Sequence, residues 1–468
     1  MSRNTVALAA VVALGAALRL PGLLTDFWLD EIWTLAIALD LDSPLEIFTN
    51  IRHSNNHYLN TFVFYALGDQ PHWIPYRIHS MIAGIVTVAL AWHFGAGRGT
   101  RAAIFASVAT AVSYLLIHFS SEARGYAMMI LFAFVAFLTA RAFVERRRWP
   151  SAVVLWAAVV LGVLSQLGFV QFLGALAVWV PFALYRRCDR IAEALVRAIQ
   201  ALAVPAVLIA AFYWLEVRHM RIGGGPEYDL LAVLVKTLSY AGGGPATGVV
   251  AVIAAIVTVL VMGAAVFRRW RQGLDDWLFF AMVIFVAPAA VLVIARPDVL
   301  FVRYFLLSVA FGLVAAGVML AELWRGATSS RVAAGVLATV FVVGNLVNVA
   351  ILYRHGRGDY LGALRYIVSE TPGGVTTLAT DNDFRNRGVI SYYQRFLPRD
   401  SRVILVGGSS YPREGPGWWL LHRIGEVGEV KETITDRHGN TYVLRETFPY
   451  SDLSGMHWLL YRRTLSPP

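Results

Sequence analysis

Two adjacent carboxylates stand near the start of the chain, in the stretch "TDFWLDEIWTL" that begins at Thr25. Asp30 and Glu31 lie between Trp28 and Trp33, directly after the first long apolar run. A carboxylate within hydrogen-bond reach of a hydroxyl group can take its proton and activate it as a nucleophile. Because a charged pair is costly at the edge of lipid, its presence here indicates either a functional site or a solvated loop.

Further charged and aromatic side chains stand where later apolar runs begin, in "RHSNNHYLN", "PYRIHS", "HFSSEARGYA" and "RPDVLFVRYF". Arginine binds phosphate oxygens through a planar fork of N–H donors, and histidine can donate or accept a proton. The pattern predicts one polar cavity that combines a carboxylate base with anion-binding groups. The candidate residues in these motifs are His53, His57, Arg77, Glu122, Arg124, Tyr126, Arg303 and Tyr304.

The composition indicates that this cavity belongs to a membrane protein. The 468 residues are 57% hydrophobic and only 15% charged, with a mean hydropathy of +0.59, whereas soluble globular chains carry about 25% charged residues. The net charge of +10 comes from arginines that lie between apolar runs. That distribution is typical of membrane topology, so no nucleic-acid partner is expected. A single cysteine, Cys188, excludes an intrachain disulfide.

Apolar segments predict about eleven transmembrane helices, since a spanning helix needs roughly 20 apolar residues. Arginine-rich linkers follow every second segment, which predicts an N-terminus inside and a C-terminus outside. This topology treats the run 151–185 as two helices; a single helix there would invert every later segment. The predicted segments lie near 5–24, 76–96, 102–119, 125–144, 151–168, 169–185, 199–217, 246–267, 277–295, 301–322 and 332–353.

The composition changes after Tyr353. Apolar residues at helical spacing in "RHGRGDYLGALRYIVSE" predict an amphipathic helix. We predict strands for "GVTTLATD", "RVILVGG", "NTYVLRETF" and "MHWLLYRR", and a helix for "DFRNRGVISYYQRFL". The expected organisation is a transmembrane domain over 1–354, with a catalytic outer loop 25–75, and a small soluble α/β domain over 355–468 on the outer face. The Gly-rich "RIGGGPEYD" predicts a mobile outer segment.

These motifs, in this order, resemble those of the GT-C glycosyltransferases that use polyprenyl-phosphate sugars. The resemblance is to the protein O-mannosyltransferase and aminoarabinose-transferase branch, in which an Asp-Glu pair opens the first outer loop, as in "RLPGLLTDFWLDEIWTL". "NNHYLNTFVFYAL" resembles the branch's His-Pro-Pro-Leu-Tyr segment, although Tyr58 stands where proline is common. "SEARGYAMMILF" and "FVRYFLLSVAFGL" are similar to its ARxYAL and RYLLP-like segments, the second without its proline.

The resemblance implies transfer of a hexose or pentose from a polyprenyl-phosphate donor to a lipid, glycan or protein acceptor, with inversion at the sugar. The reaction would take place at the outer face of the cytoplasmic membrane, with the donor's chain in the lipid bilayer. Asp30 would be the general base and Glu31 its helper. The donor phosphate would be bound by residues among His57, Arg77, Glu122, Arg124, Tyr126, Arg303 and Tyr304.

Other hypotheses stay open at this point. A divalent cation is one, with Glu31, His53 and His57 as acceptable ligand types, although their spacing matches no closed metal pattern. A transporter or lipid flippase of envelope glycan precursors is another, but the predicted charges gather at one face instead of the midplane. A structural partner in an envelope assembly is the third, and this hypothesis predicts that Asp30→Asn is tolerated.

Overall fold

The computed structural model describes residues 2–220, 229–294, 296, 299–408, 410–425 and 428–464. Residues 221–228, which make up most of the "RIGGGPEYD" segment that we predicted to be mobile, lie outside these residues. The chain forms two compact units. The first unit comprises Met1–Leu23 and Ala38–Val349, and the second comprises Leu24–Ile37 and Ala350–Pro468.

Up to residue 355, the regular elements of the described residues are helices. The α-helices are α1 (Arg3–Ala17), α2 (Leu29–Leu39), α3 (Glu46–Thr49), α4 (Tyr58–Leu67), α5 (Ile74–Ala96), α6 (Thr100–Val112), α7 (Tyr114–Ser120), α8 (Tyr126–Arg146), α9 (Trp149–Ser165), α10 (Val170–Tyr185), α11 (Ile191–Leu215), α12 (Leu230–Gly242), α13 (Gly248–Arg271), α14 (Trp277–Ala281), α15 (Ala287–Ile294), α16 (Leu306–Leu323) and α17 (Thr328–His355). A π-helical turn, Met282–Val286, joins α14 to α15, and 3-10 turns cover Leu20–Leu23, Leu167–Phe169, Val217–His219 and Val302–Phe305.

Each of the eleven predicted segments contains a helix, but fewer pass as full spans. Within the described ranges, nine helices are long and apolar enough to cross a membrane, and the bent pair α6–α7 makes a tenth. The eleventh segment is α9, which has only 17 residues. α9 and α10 are separate helices, because the chain is extended at Gln166 between them. The predicted sides of the membrane stay a prediction.

The break between α6 and α7 bends the chain by 58°. Arg19, which is buried, donates from Nη1 to the carbonyl of Ala111 at 3.1 Å and from Nη2 to that of Thr110 at 3.4 Å. On the other side, Asn345 Oδ1 accepts the N–H of Tyr114 at 2.7 Å. A broken helix leaves backbone groups that lipid cannot satisfy, so these side chains stabilise the break.

The core of the first unit is built around α16. It is the most buried of the described spanning helices, because 94% of its apolar stretch is buried inside the protein. Phe311 lies at its centre, and its ring contacts aromatic rings from four other helices. These rings belong to Phe94, Phe134, Phe137, Phe172, Phe279 and Phe280. Aromatic packing therefore holds the bundle in which the site residues stand.

The second unit contains a six-stranded sheet with the order β2-β1-β3-β6-β5-β4. β1 runs parallel to β2 and β3, and the other neighbours are antiparallel. Its elements are α18 (Tyr360–Ser369), β1 (Val375–Thr380), α19 (Asp383–Gln394), β2 (Arg402–Leu405), β3 (Trp418–Arg423), β4 (Thr433–Thr435), β5 (Thr441–Phe448) and β6 (His457–Arg463). Four of these strands and both helices lie where the sequence predicts them; β3 and β4 were not predicted.

Candidate active site

His57 stands directly before α4 and is only 4% exposed. Its Nδ1 accepts a hydrogen bond from the backbone N–H of Gly125 at 3.0 Å. Because a backbone N–H can only donate, the ring proton of a neutral His57 is on Nε2. Burial, together with the charges of Arg124 and Arg303, holds the pKa of His57 well below its usual range. His57 is therefore a neutral donor at physiological pH.

Arg124 lies against this histidine. Its Nη2 is 3.2 Å from His57 Nε2, and its Nη1 donates to Asn55 Oδ1 at 2.5 Å. The guanidinium carbon is 5.9 Å from the centre of the Tyr126 ring, which also meets the His57 ring edge-on. With the proton on Nε2, two donors face each other, and an anionic oxygen is the partner that both can share. This geometry is suited to binding phosphate.

Close packing of the turn before α8 brings these groups together. The carbonyl of Arg124 accepts the hydroxyl of Ser80 at 3.0 Å. A Cβ atom on Gly125 would lie 1.8 Å from the carbonyl oxygen of Ser165 and 2.9 Å from His57 Nδ1, so only glycine fits. Neither Asn55 nor Gly125 was among the predicted site residues. The motifs "NNHY" and "ARGY" contain the signal for both, because Asn55 lies near His57 in the first and Gly125 follows Arg124 in the second.

Arg303 adds a second positive charge. It lies half-buried in the 3-10 turn before α16, with its guanidinium carbon 3.9 Å from the centre of the Phe301 ring. Its charge contributes to the lowered pKa of His57, after burial and the charge of Arg124. Tyr304, next in sequence, accepts a hydrogen bond from Gln171 Nε2 through its backbone carbonyl at 2.8 Å. We call His57, Arg124 and Arg303 the basic cluster.

Arg77 and Glu122 are fully buried. Arg77 donates from Nη1 to the carbonyls of Gly22 and Leu23 at 3.3 and 3.2 Å, so it stabilises the 3-10 turn that follows α1. Glu122 Oε2 lies 3.9 Å from His118 Nε2. The hydrogen bonds to Gly22 and Leu23 give Arg77 a structural role that the sequence pattern did not predict.

The acidic pair opens α2, in the part of the chain that belongs to the second unit. Glu31 is fully buried, and its Oε2 accepts the N–H of Trp28 at 3.2 Å. A glutamate at the third helical position that reaches back in this way is half of a capping box. Asp30 is half-buried, and its carbonyl accepts the hydroxyl of Thr34 at 2.8 Å. Glu31 therefore shapes the start of the helix, and Asp30 is the more accessible carboxylate.

The metal hypothesis gains no support from these positions. Among the residues that the structure describes, no three His, Cys, Asp or Glu side chains are grouped so that they could hold an ion. His53 is exposed, and its Nδ1 accepts the N–H of Asn55 at 3.0 Å. His57 already uses Nδ1 for Gly125.

No family model matches the chain, and no curated protein matches its sequence. Solved structures match it in fold. ArnT from Cupriavidus metallidurans in the apo state has a TM-score of 0.53 at 14% identity, over 87% of this chain and 86% of that chain. The oligosaccharyltransferase AglB from Archaeoglobus fulgidus, in complex with an inhibitory peptide and a dolichol-phosphate, has a TM-score of 0.49 at 13% identity, over 79% of this chain and 58% of that chain. ArnT from Cupriavidus metallidurans bound to undecaprenyl phosphate has a TM-score of 0.44 at 12% identity, over 89% of this chain and 92% of that chain.

The likeness to apo ArnT extends over most of both chains. This likeness in fold, the candidate membrane spans and the small C-terminal sheet confirm the predicted class of a polytopic helical membrane protein with an α/β domain. At 14% identity the comparison concerns the fold. The chain thus has an ArnT-like fold, as its motifs predicted.

Proposed function

We propose that this protein is a membrane glycosyltransferase that moves a sugar from a polyprenyl-phosphate donor to an acceptor hydroxyl group. The basic cluster is the observation that carries the proposal. His57 Nε2–H and the Arg124 guanidinium are hydrogen-bond donors 3.2 Å apart, and Arg303 adds positive charge, so a ligand bound there must accept hydrogen bonds and carry negative charge. A phosphate oxygen meets this requirement, and it gains negative charge as the sugar leaves it.

In this mechanism, Asp30 takes the proton of the acceptor hydroxyl group as its oxygen attacks C1 of the sugar. The bond from C1 to the phosphate oxygen breaks, and the phosphate leaves with the electron pair. Direct displacement inverts the configuration at C1. Glu31 acts through the cap that orients the first turn of α2. The reaction takes place at the outer face of the cytoplasmic membrane, where the donor's prenyl chain stays in lipid.

The ArnT-like fold and the order of the motifs support this proposal over a flippase of envelope glycan precursors. The two functions differ in one bond, because a flippase moves the lipid-linked sugar without breaking the bond between C1 and phosphate. The purified protein in liposomes is therefore given a radiolabelled sugar on polyprenyl phosphate, with an envelope extract of the source cells as acceptor. We expect labelled acceptor and an equal amount of free polyprenyl phosphate. An intact donor that changes leaflet would overturn the proposal in favour of a flippase.

A further inference from the structure

The acidic segment, which we define as residues 25–33, folds with the C-terminal part of the chain. It belongs to the second compact unit, whose other residues begin at Ala350. Hydrogen bonds join the segment to residues 332, 335 and 366 positions away. Contacts over such separations require loop closure, so they are made by tertiary structure and not by chain proximity.

Tyr393, near the end of α19, holds the backbone of the acidic segment. Its hydroxyl donates to the carbonyl of Phe27 at 3.0 Å and accepts the N–H of the same residue at 2.5 Å. Phe27 is fully buried. One hydroxyl therefore satisfies both backbone groups of a buried residue that stands three positions before Asp30, where an unsatisfied group would be costly.

Two further polar contacts hold the residues just before Phe27. Arg357, which is fully buried, donates from Nη1 to Thr25 Oγ1 at 2.7 Å. Asp26 Oδ2 accepts the N–H of Leu361 at 2.9 Å, in the first turn of α18. A carboxylate at a helix N-terminus interacts favourably with the helix dipole. Three consecutive residues of the acidic segment are thus anchored to the C-terminal part of the same unit.

Aromatic contacts extend this attachment past the acidic pair. The ring of Phe27 lies 5.7 Å from that of Tyr392, and the ring of Trp33 lies 5.1 Å from that of Phe384. Both partners belong to α19. The helix therefore contacts the acidic segment on both sides of Asp30, before it and after it.

We propose that Tyr393 and Arg357 are positioning residues for the carboxylate of Asp30. The C-terminal domain then serves as the support that sets the direction of the first turn of α2. This inference rests on the proposed role of Asp30 as base. A base must be held within hydrogen-bond reach of its proton, and small misplacements of such groups reduce the rate of the chemical step.

Tyr393→Phe is the direct test, because it removes only the hydroxyl group. In the full-length protein in nanodiscs, we expect kcat for sugar transfer to fall roughly 10- to 100-fold, with KM for the polyprenyl-phosphate donor unchanged. We also expect faster hydrogen exchange of the amides of residues 25–33, and wild-type exchange in the β-sheet. Thr25→Val, which removes the acceptor of Arg357 Nη1, should act in the same direction and provides the test if Tyr393→Phe fails to fold.

Tyr461→Phe is the matched control. Tyr461 is buried in β6 of the same unit and donates its hydroxyl to the carbonyl of Lys431 at 2.9 Å. Wild-type kcat and exchange in Tyr393→Phe, or an equal loss of kcat in Tyr461→Phe, would overturn the inference. If the wild-type protein transfers no sugar, the proposed function fails. Hydrogen exchange of residues 25–33 in Tyr393→Phe then still decides whether Tyr393 anchors the acidic segment. Exchange equal to that of the wild-type protein refutes this anchoring.

Discussion

The backbone N–H of Gly125 donates to Nδ1 of His57 at 3.0 Å, and this bond determines what the other ring nitrogen can do. With Nδ1 occupied as an acceptor, Nε2 is the donor and lies 3.2 Å from Arg124 Nη2. His57 can thus donate to an anion, as the proposed function requires, without carrying charge. The proposed binding of phosphate by His57 depends on this arrangement.

The pH dependence of stability should report the burial of His57. Its pKa is lower in the folded protein than its ordinary value of 6.5, so the stability it contributes is present above pH 6.5 and is lost as pH falls toward the folded pKa. We expect the wild-type Tm in detergent to fall more between about pH 7.5 and about pH 5.5 than the Tm of His57→Asn. In His57→Asn, the side-chain oxygen can still accept the hydrogen bond from the backbone N–H of Gly125. An equal fall in both proteins would contradict the prediction.

Gly125→Ala should prevent correct packing of the turn before α8. The added Cβ would lie 1.8 Å from the carbonyl oxygen of Ser165, and backbone atoms cannot move away cheaply. Overpacking of this kind costs about 1–3 kcal/mol or more, which we expect as a lower yield of folded protein and a lower Tm. Gly174→Ala in α10 is the control, because a Cβ there has no neighbour within 4 Å. A similar loss of Tm in both variants would refute the close approach of Gly125 to the carbonyl of Ser165.

Arg124→Lys should weaken phosphate binding while keeping the charge. Lysine lacks the planar fork that donates to Asn55 Oδ1 and lies beside His57 Nε2. A hydrogen bond between charged groups contributes about 1.5–3 kcal/mol, so we expect the Kd for a short-chain polyprenyl phosphate to rise roughly tenfold or more. Binding is measured by calorimetry in detergent, with Arg101→Lys, an exposed arginine, as the control. An unchanged Kd would exclude Arg124 from the phosphate site.

Asn345→Leu should destabilise the break between α6 and α7. The substitution removes the Oδ1 acceptor of the Tyr114 N–H and leaves that buried donor without its side-chain cap. We expect a loss of about 1–3 kcal/mol, measured as a lower Tm in detergent. Val347→Leu, an exposed change on the same helix, is the control and should leave Tm unchanged. A wild-type Tm in Asn345→Leu would show that the break does not need this cap.

Hydropathy predicts each membrane helix because spanning the lipid imposes about 20 apolar residues on a local stretch of chain. The break at Ser113 escaped prediction because the run 102–119 contains no proline, no glycine and no Asp, Glu, Lys or Arg to mark it. The side chains that stabilise it, Arg19 and Asn345, are 92 and 231 residues from their partners. The burial of β3, "WWLLHR", alternates along the strand, but apolar residues occupy both faces, so the sequence lacks the alternation that identifies a half-buried strand.

The sequence motifs predict a role for His57, Arg124 and Arg303 because ionisable residues in membrane segments face protein or water and are often functional. Residue type alone does not reveal that Gly125 determines the tautomer of His57, since that depends on a 3.0 Å contact between distant segments. The same holds for the attachment of residues 25–33 to α18 and α19, which no local pattern indicates. The positions of most helices and strands are therefore predictable from the sequence, whereas the hydrogen-bonding state of each polar group requires the structure.

The central claim is that the Asp30 carboxylate is the general base, and Asp30→Asn tests it most directly. Single-turnover transfer of labelled sugar from a polyprenyl-phosphate donor is measured in liposomes, with Asp40→Asn, an exposed aspartate just after α2, as the control. We predict that Asp30→Asn binds the donor with wild-type affinity and transfers sugar about 10²–10⁴-fold more slowly, while Asp40→Asn transfers at the normal rate. Transfer by Asp30→Asn at the wild-type rate would contradict the account.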